Sequence, residues 1–302
     1  MEVVLPWVIG VLWVAAAALA GMYAARVARQ ITYVTLADGR RQARNMPLVF
    51  RLVRPLAPNL KGVMMRPEFA RSRERAEAML VAAGYEGVMA GWEFLALRVL
   101  VPLTLLPFWC LLIVAAGRSS PPLAQFGGWL MALGGILFCL VPTLWLKTAV
   151  ARRQRAILKA LPFVLDMLTL SIEAGMDFML ALQRNVERRA IDPLGEELIR
   201  VVHEIQLGTP RRVALKAMAL RVDISDVRSV VNALVQADEL GVSVGMILRI
   251  QSDQIRLHRF ERAEKLANEA PVKLLGPLLM FIFPSVFLIL LGPILYRVFQ
   301  QL

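Results

Sequence analysis

The sequence predicts an all-α integral membrane protein with four transmembrane helices and a cytoplasmic antiparallel bundle of about six helices. Three observations lead to this fold class. Of the 302 residues, 58% are apolar and 19% are charged, a mixture typical of membrane spans joined to water-exposed segments. Four apolar stretches are long enough to cross a hydrocarbon core about 30 Å thick. Glycine and proline divide the longest polar segment into helical lengths.

Each apolar stretch contains about 20 residues, which is the length that a membrane-spanning helix needs at about 1.5 Å per residue. The first follows Met1-Glu2, which carries no positive charge, and its apolar run is too long for a secretory signal. We therefore expect a permanent span there. The four predicted spans are Val3 to Ala25, Phe94 to Ala116, Gly127 to Leu146 and Leu274 to Tyr296.

Basic residues are distributed very unevenly between the segments that join these spans. Residues 26–93 contain twelve of them and residues 147–273 contain twenty, whereas the loop 117–126 has Arg118 alone. Lys and Arg beside a span are retained on the cytoplasmic side. We therefore expect a multi-pass membrane protein with both long segments in the cytoplasm and both termini on the opposite side of the membrane. The net charge of +12 is then a topology signal, and no nucleic-acid signature accompanies it.

The predicted organisation follows these boundaries. Within residues 26–93, the stretch from Ile31 to Arg66 mixes arginine with several prolines, which favours short pieces tied to the membrane surface over a packed domain. A better helix is expected from Arg71, with Gly84 as its C-cap. The predicted divisions are a first transmembrane helix (1–25), a basic cytoplasmic segment (26–93), a transmembrane hairpin (94–146), a cytoplasmic helical bundle (147–273), and a fourth transmembrane helix with a periplasmic tail (274–302).

The bundle segment contains helix start and stop signals at short intervals. Gly175 and Gly241 are expected to end helices, and Asp177 is expected to cap the next one. Asp192-Pro193 and Thr209-Pro210 each combine an N-cap residue with proline at the first helical position. The connections between these predicted helices contain about 2 to 4 residues, and connections of this length favour antiparallel neighbouring helices. A long helix is predicted from Ser243 to Ala270, where Pro271 should interrupt it.

Residues for catalysis, for metal binding and for cofactor binding are not apparent in the sequence. Phosphate loops, nucleophile elbows and paired metal ligands are missing, and His203 and His258 lie far apart. Asp166 and Glu173 are seven residues apart and share a helix face. Such a pair could serve acid-base chemistry or hold a cation, but an interhelical salt bridge or a contact with a partner protein is the favoured interpretation. A membrane enzyme using Asp166, Glu173 or Asp238 is an alternative. We expect no enzymatic activity, metal or cofactor.

A transporter is a second alternative, and the composition of the spans disfavours it. Ionisable residues inside a membrane are costly and mark ion or substrate pathways. The predicted spans have Glu93 and Arg98 near the cytoplasmic end of the second and no others. Prolines are frequent in the later spans, where they set static kinks or act as hinges.

Three stretches resemble the type II secretion system F family. They are LPFVLDMLTLSIEAGM from Leu161, LGTPRRVALKAMALRV from Leu207, and the long stretch from Leu234 to Pro293. The end of the last stretch resembles the TadC branch more than its sister branch TadB. It contains A-P-V-K from Ala270, F-I-F-P from Phe281 and L-G-P from Leu291. The resemblance covers roughly residues 158–295.

This resemblance implies a platform protein of a tight-adherence (Flp) pilus machine that stands between a cytoplasmic secretion ATPase and Flp-like pilins. It also implies a hetero-oligomer with a TadB-like sister protein, surrounded by membrane lipids and without nucleic acid. The membrane is then a bacterial inner membrane, and both termini are expected in the periplasm. The platform of another type IV pilus or type II secretion system is the alternative within the family. We expect the bundle to dock the ATPase, and the candidate interface residues are Glu173, Gly175, Gly208, Gly241, Arg256, Arg259 and Arg262.

Overall fold

The computed structural model describes residues 32–35, 39, 41–44, 46–119, 121–189 and 191–301. The predicted first span, Val3 to Ala25, lies outside the described residues. Within them the chain is almost entirely helical, and three segments are long and apolar enough to cross a membrane. They are Gly91–Arg118 and parts of the longer helical segments Phe126–Glu173 and Val244–Gly292.

The first described element is a β-hairpin, which the all-α prediction missed. Strand β1 (Thr32–Thr35) pairs antiparallel with β2 (Arg41–Arg44), and Thr32 stands opposite Arg44. Three of the four residues of β1 are β-branched, a class that fits a pleated strand well. Four-residue strands are too short to show an alternating pattern in the sequence, which explains the omission.

The segment after the hairpin folds into short helices with a core of their own. Phe50 and Ala57 are buried with Leu80 and Leu146, and the Phe50 ring meets the Trp145 ring edge-on at 4.8 Å. The prediction that this segment forms short surface pieces and no packed core of its own is therefore wrong. The elements are α1 (Leu48–Val53), a 3₁₀ helix (Arg54–Leu60), α2 (Lys61–Met64), a 3₁₀ turn (Pro67–Phe69) and α3 (Ala70–Ala83).

Two long helices follow and form a membrane hairpin. Helices α4 (Gly91–Ser119) and α5 (Pro121–Glu173) pack together, and the Trp109 indole N–H donates to the Leu130 carbonyl at 3.1 Å. Gly134 leaves the room that this indole occupies. Helix α5 runs without interruption from the third span into the bundle, so the helix expected to begin near Ala151 is the continuation of that span.

The bundle consists of the end of α5 and five further helices. The predicted Asp177 and Asp192 caps are confirmed, because their carboxylates accept from Met179 N and Gly195 N, both at 2.8 Å. The Thr209 cap is wrong, since Pro210 itself is the N-cap residue and no side chain caps that helix. The helices are α6 (Phe178–Arg188), α7 (Pro193–Gln206), α8 (Arg211–Val222), α9 (Ser225–Leu240) and α10 (Val244–Pro277).

The bundle has a second hydrophobic core, built from apolar stripes on all six helices. Leu161 and Leu165 from α5 meet Leu182, Val231 and Leu248 from the others, and all five are buried. Burial of these stripes is the main favourable term that holds the helices together. The structure thus contains two cores, one on each side of the stretch of α5 near Arg153.

Helix α10 leaves the bundle and continues through Pro271 as far as Pro277, so the predicted interruption at Pro271 is wrong. Residues around Pro271 are good helix formers, and proline in a long helix removes one backbone hydrogen bond without necessarily ending it. Helix α10 passes into one π-helical segment (Leu278–Ile282) and then into α11 (Phe283–Gln301). Side chains from Val272 to Leu290 are exposed within the described part of the chain.

Candidate functional site

A buried ionic cluster lies where the two cores meet. Arg153 of α5 donates to Glu196 Oε2 at 2.9 Å and to Glu197 Oε1 at 3.0 Å, both on the first turns of α7. Relative exposure is 7% for Arg153 and 5% for Glu196. Such residues are almost never buried unless they are paired. Three charged groups have therefore been brought out of water to make this junction.

Other charged residues extend the cluster to both sides. Arg44 of β2 reaches Glu196 at 2.5 Å, and Arg221 of α8 bridges Glu197 and Glu204, both at 3.1 Å. On the outer edge, Arg200 pairs with Glu204 at 3.2 Å and also with Glu86, which lies in the turn between α3 and α4. The cluster therefore ties the N-terminal core to the bundle through residues from five separate parts of the chain.

Burial and pairing shift the protonation equilibria of this cluster. Desolvation raises the pKa of the Glu196 carboxyl and lowers the pKa of Arg153, although the opposite charges act against both changes. The hydrogen bond from Arg200 lowers the pKa of Glu86. Glu196 Oε1 is buried without a hydrogen-bond partner, so the pairing of this carboxylate is incomplete.

Gly84 makes the close approach of Arg153 possible. It ends α3 in the left-handed conformation, with φ of +78°, and a Cβ at this position would lie 1.8 Å from Arg153 Nη1. A side chain here would need a strained backbone and would also displace the guanidinium. The predicted glycine cap of this helix is confirmed, and its second role was not visible in the sequence.

Three of the candidate interface residues form turns at one end of the bundle. Gly175, Gly208 and Gly241 follow α5, α7 and α9 and have φ of +90°, +95° and +67°. Left-handed backbone at the end of a helix favours glycine. Helices α5, α7 and α9 thus all end at this side of the bundle, and α6, α8 and α10 start there.

Contacts between these elements place the turns together at the end farthest from the spans. The Arg211 guanidinium lies 4.3 Å from the Phe178 ring centroid and 3.2 Å from Asp238 Oδ1. Gly245, at the start of α10, contacts Ile172 near the end of α5. We call this surface, built around Gly175, Gly208 and Gly241, the distal end.

Exposed apolar side chains lie beside two of these turns. Leu207 precedes Gly208 and is 74% exposed, and Leu240 precedes Gly241 and is 77% exposed. Met246, on the first turn of α10, is 61% exposed. Single exposed apolar residues are ordinary, but a group of them on a compact end is typical of a contact surface. The sequence analysis selected the glycines and missed these neighbours, because periodicity cannot identify apolar residues at helix ends.

The three candidate arginines of α10 all have partners within the bundle. Arg256 pairs with Asp166 of α5, Arg259 donates to the Leu158 carbonyl, and Arg262 lies 3.2 Å from Asp226 Oδ2. These side chains also remain exposed. These three arginines therefore join α10 to α5 and α9 in the bundle.

Glu173 and Asp166 lie on the same seam between α5 and α10. Arg249 pairs with Glu173 at 2.9 Å, and Ser252 donates to Asp166 Oδ1 at 2.5 Å. The sequence favoured an interhelical salt bridge or a partner contact for these two carboxylates, and the structure shows interhelical salt bridges at both. In the described residues no group of three or more His, Cys, Asp or Glu could hold a metal ion.

Comparison with known families decides the class of the bundle and of the helix that follows it. Residues 164–292 match the family model for protein F of the type II secretion system. This part of the chain is a type II secretion F domain. Its match begins within α5, three residues after the buried Leu161, and ends in the last span. No curated protein and no solved structure matches the chain.

Proposed function

We propose that the protein is an inner-membrane platform of a Tad/Flp-type pilus assembly machine, where it couples a cytoplasmic secretion ATPase to pilin extraction and fibre assembly. The type II secretion F domain carries this proposal, since proteins of that family are membrane platforms of type II secretion or type IV pilus systems and are generally not enzymes. The finer assignment to the Tad branch is supported by the sequence A-P-V-K directly before the last span and by F-I-F-P and L-G-P within it.

Continuous helices support a mechanical role. Helix α5 contains 53 residues and leads from a candidate span to the distal end of the bundle. At about 1.5 Å per residue such a helix is roughly 80 Å long. Helix α10 returns from the distal end to the last span through another unbroken stretch. Force applied at the distal end therefore has two covalent helical routes into the membrane.

The distal end is the proposed docking surface for the ATPase. It combines three turns with exposed Leu207, Leu240 and Met246, and it lies away from the spans. Interface centres are enriched in apolar side chains and depleted in charge, which fits this group. A TadB-like sister platform and a Flp-like pilin complete the proposed hetero-oligomer. The last span is available to either because it is exposed from Leu274 to Leu290.

A pull-down of the detergent-solubilised protein tests this proposal. The wild-type chain should retain a secretion ATPase and a sister F protein, and the double variant Leu207→Glu/Leu240→Glu should lose the ATPase alone. Leu220→Glu is a matched control, because Leu220 is 73% exposed on α8 but lies at the opposite end of the bundle, two residues before Val222. Equal ATPase recovery with both variants would exclude the distal end as the docking surface.

The platform of another type IV pilus or type II secretion system is the second candidate function, because the family match covers those systems equally. The identity of the co-purified pilin separates the two. A Flp-like pilin supports the Tad assignment, whereas a type II pseudopilin or a larger type IV pilin would refute it and leave the platform role intact.

A further inference from the structure

Helix α5 has a strongly basic face directly after the third candidate span. Lys147, Arg152, Arg155 and Lys159 are all exposed. Within the described part of the chain none of these four forms an ion pair. Their positions differ by five, three and four residues, so they occupy one side of the helix at about 100° per residue. We call these four residues the basic face.

The opposite side of the same helix stretch is packed against the protein. Leu146 and Ile157 are buried in the two cores, and Arg153 is held in the ionic cluster. The basic face therefore points away from both cores. Four unpaired positive charges on an uncovered face require a negatively charged partner or water.

The basic face continues an apolar face of the span. Leu137, Leu140 and Leu144 are exposed on α5 and lie on the same side of the helix as Arg155. In a bilayer, acyl chains cover exposed leucines of this kind. Along this side of α5, an apolar surface within the span is therefore followed directly by cationic side chains beyond it.

Distances along the helix fit the dimensions of a lipid headgroup layer. Lys147 stands at the end of the apolar stretch, and Arg152 and Arg155 follow about 8 and 12 Å farther along at 1.5 Å per residue. The headgroup region is roughly 5–7 Å thick on each side of the bilayer. Long Lys and Arg side chains bend toward this layer while their stems stay on apolar surface, so all three charges reach it. Lys159 lies about 18 Å from Lys147 along the helix, so solution ions screen most of its attraction to the headgroups.

We propose that this side of α5 binds an anionic phospholipid, with the phosphate held by Lys147, Arg152 and Arg155 and an acyl chain lying along Leu137, Leu140 and Leu144. Clusters of four or more basic residues immediately beside a span attract anionic lipids. A lipid is favoured over an acidic protein segment because it alone matches the apolar and the cationic part of one continuous face. The bound lipid fixes the depth of α5 in the membrane and hence the height of the bundle above it.

Native mass spectrometry of the full-length protein in detergent tests this proposal. Dioleoyl phosphatidylglycerol and dioleoyl phosphatidylcholine are titrated separately, and apparent dissociation constants are compared. We expect tighter binding of phosphatidylglycerol, and a loss of about tenfold or more when all four residues of the basic face are changed to Gln. The control changes Arg184, Arg188, Arg212 and Lys216 to Gln, since these exposed residues lie in the bundle away from the span, and it should keep the wild-type affinity.

Two additions keep the test decisive. If the fourfold variant unfolds in phosphatidylcholine, the double variant Arg152→Gln/Arg155→Gln takes its place and should still lose most of the preference. Glycerol 3-phosphate should not compete at lipid concentrations, because it lacks the acyl chains. Equal binding of the two lipids by the wild type, an unchanged preference in the basic-face variants, or efficient competition by glycerol 3-phosphate would each overturn the proposal.

Discussion

Arg153 Nη2 lies 2.9 Å from Glu196 Oε2, although the two residues are separated by 43 positions in the chain and both are buried. This pair joins the helix that leaves the membrane to the first turn of α7 in the bundle. Glu196 also accepts a hydrogen bond from Arg44 of the β-hairpin. One carboxylate therefore connects the N-terminal core, the membrane hairpin and the F domain, and loosening it should affect both cores.

The first prediction concerns this pair. Arg153→Met removes the positive charge and leaves Glu196 and Glu197 buried with less compensation, which should cost about 3 kcal/mol or more. At roughly 2–4 °C per kcal/mol for a chain of this size, the midpoint of thermal unfolding of the solubilised protein should fall by about 6 °C or more.

Arg228→Met is the control for this substitution. Arg228 pairs with Asp223 at 2.8 Å, but both side chains are exposed, so its loss should change stability by less than about 1 kcal/mol. A midpoint for Arg153→Met that matches the Arg228→Met value would show that the buried cluster contributes little.

The second prediction separates backbone strain from crowding. Gly84 and Gly87 have nearly the same φ, +78° and +75°, but a Cβ would meet Arg153 at Gly84 and nothing within 4 Å at Gly87. Gly87→Ala should cost about 1 kcal/mol from its left-handed backbone. Gly84→Ala should cost clearly more, because the guanidinium must also move. The midpoints of thermal unfolding of the two variants measure these stability losses. Equal midpoints would mean that the Arg153 side chain moves aside without a cost in stability.

Particular residues show how far the sequence alone could lead. The Asp177 and Asp192 caps and the glycine at position 84 were predictable, because capping depends on neighbours within a few residues. Arg44, Arg153 and Glu196 were not, because nothing local indicates that charges so far apart in the chain meet in the interior. The same limit applies to the basic residues of α10, whose partners Asp166 and Asp226 lie on other helices.

Errors near proline and in the N-terminal segment have a related cause. Pro271 suggested an interrupted helix, and the prolines before Arg66 suggested short surface pieces in place of a packed domain, since proline weakens regular structure locally. Tertiary packing decided otherwise for Phe50 and Ala57, which are buried against the membrane hairpin. Local propensity is a weak guide where a distant helix supplies the apolar surface.

The third prediction is a pH dependence at the edge of the cluster. Arg200 lowers the pKa of Glu86 below its ordinary value of 4.5, so this pair stabilises the folded state above pH 4.5 and loses that contribution as the pH falls through the lowered pKa. The raised pKa of Glu196 acts in the opposite direction, since its contribution is largest at low pH and declines as the pH rises through the raised pKa.

Glu86→Gln isolates the first of these effects. The wild-type protein should lose more thermal stability between pH 7 and pH 4 than the Glu86→Gln variant does. Circular dichroism of the solubilised protein at several pH values measures both melting midpoints. Parallel pH profiles for the two proteins would show that Glu86 contributes nothing to acid sensitivity.

The fourth prediction is the membrane topology that the basic residues imply. Reporter fusions at Gly39 and Gly208 should give cytoplasmic signals, and fusions at Ser120 and after Leu302 should give periplasmic signals. A periplasmic signal at Gly208 would place the F domain away from ATP and would refute the platform mechanism.

The last prediction asks what the arginines of α10 do. Charge reversal of Arg256, Arg259 and Arg262 together should abolish piliation if this face docks the ATPase, but each arginine also has a partner inside the bundle. Loss of piliation alone would therefore leave two explanations, and the pair of Arg256 with Asp166 offers a way to separate them. Arg256→Asp places two carboxylates side by side and should weaken the α5–α10 seam.

Adding Asp166→Arg restores an opposite-charge pair with its direction reversed. If the pair serves only to join the helices, the double variant should recover the thermal midpoint and the piliation of the wild type. If Arg256 meets an acidic group on the ATPase, the double variant should recover the midpoint and stay unpiliated, because the outward charge on α10 remains reversed. Electron microscopy of cells and thermal unfolding of the purified variants give the two readouts, and full recovery of both would remove Arg256 from the docking surface.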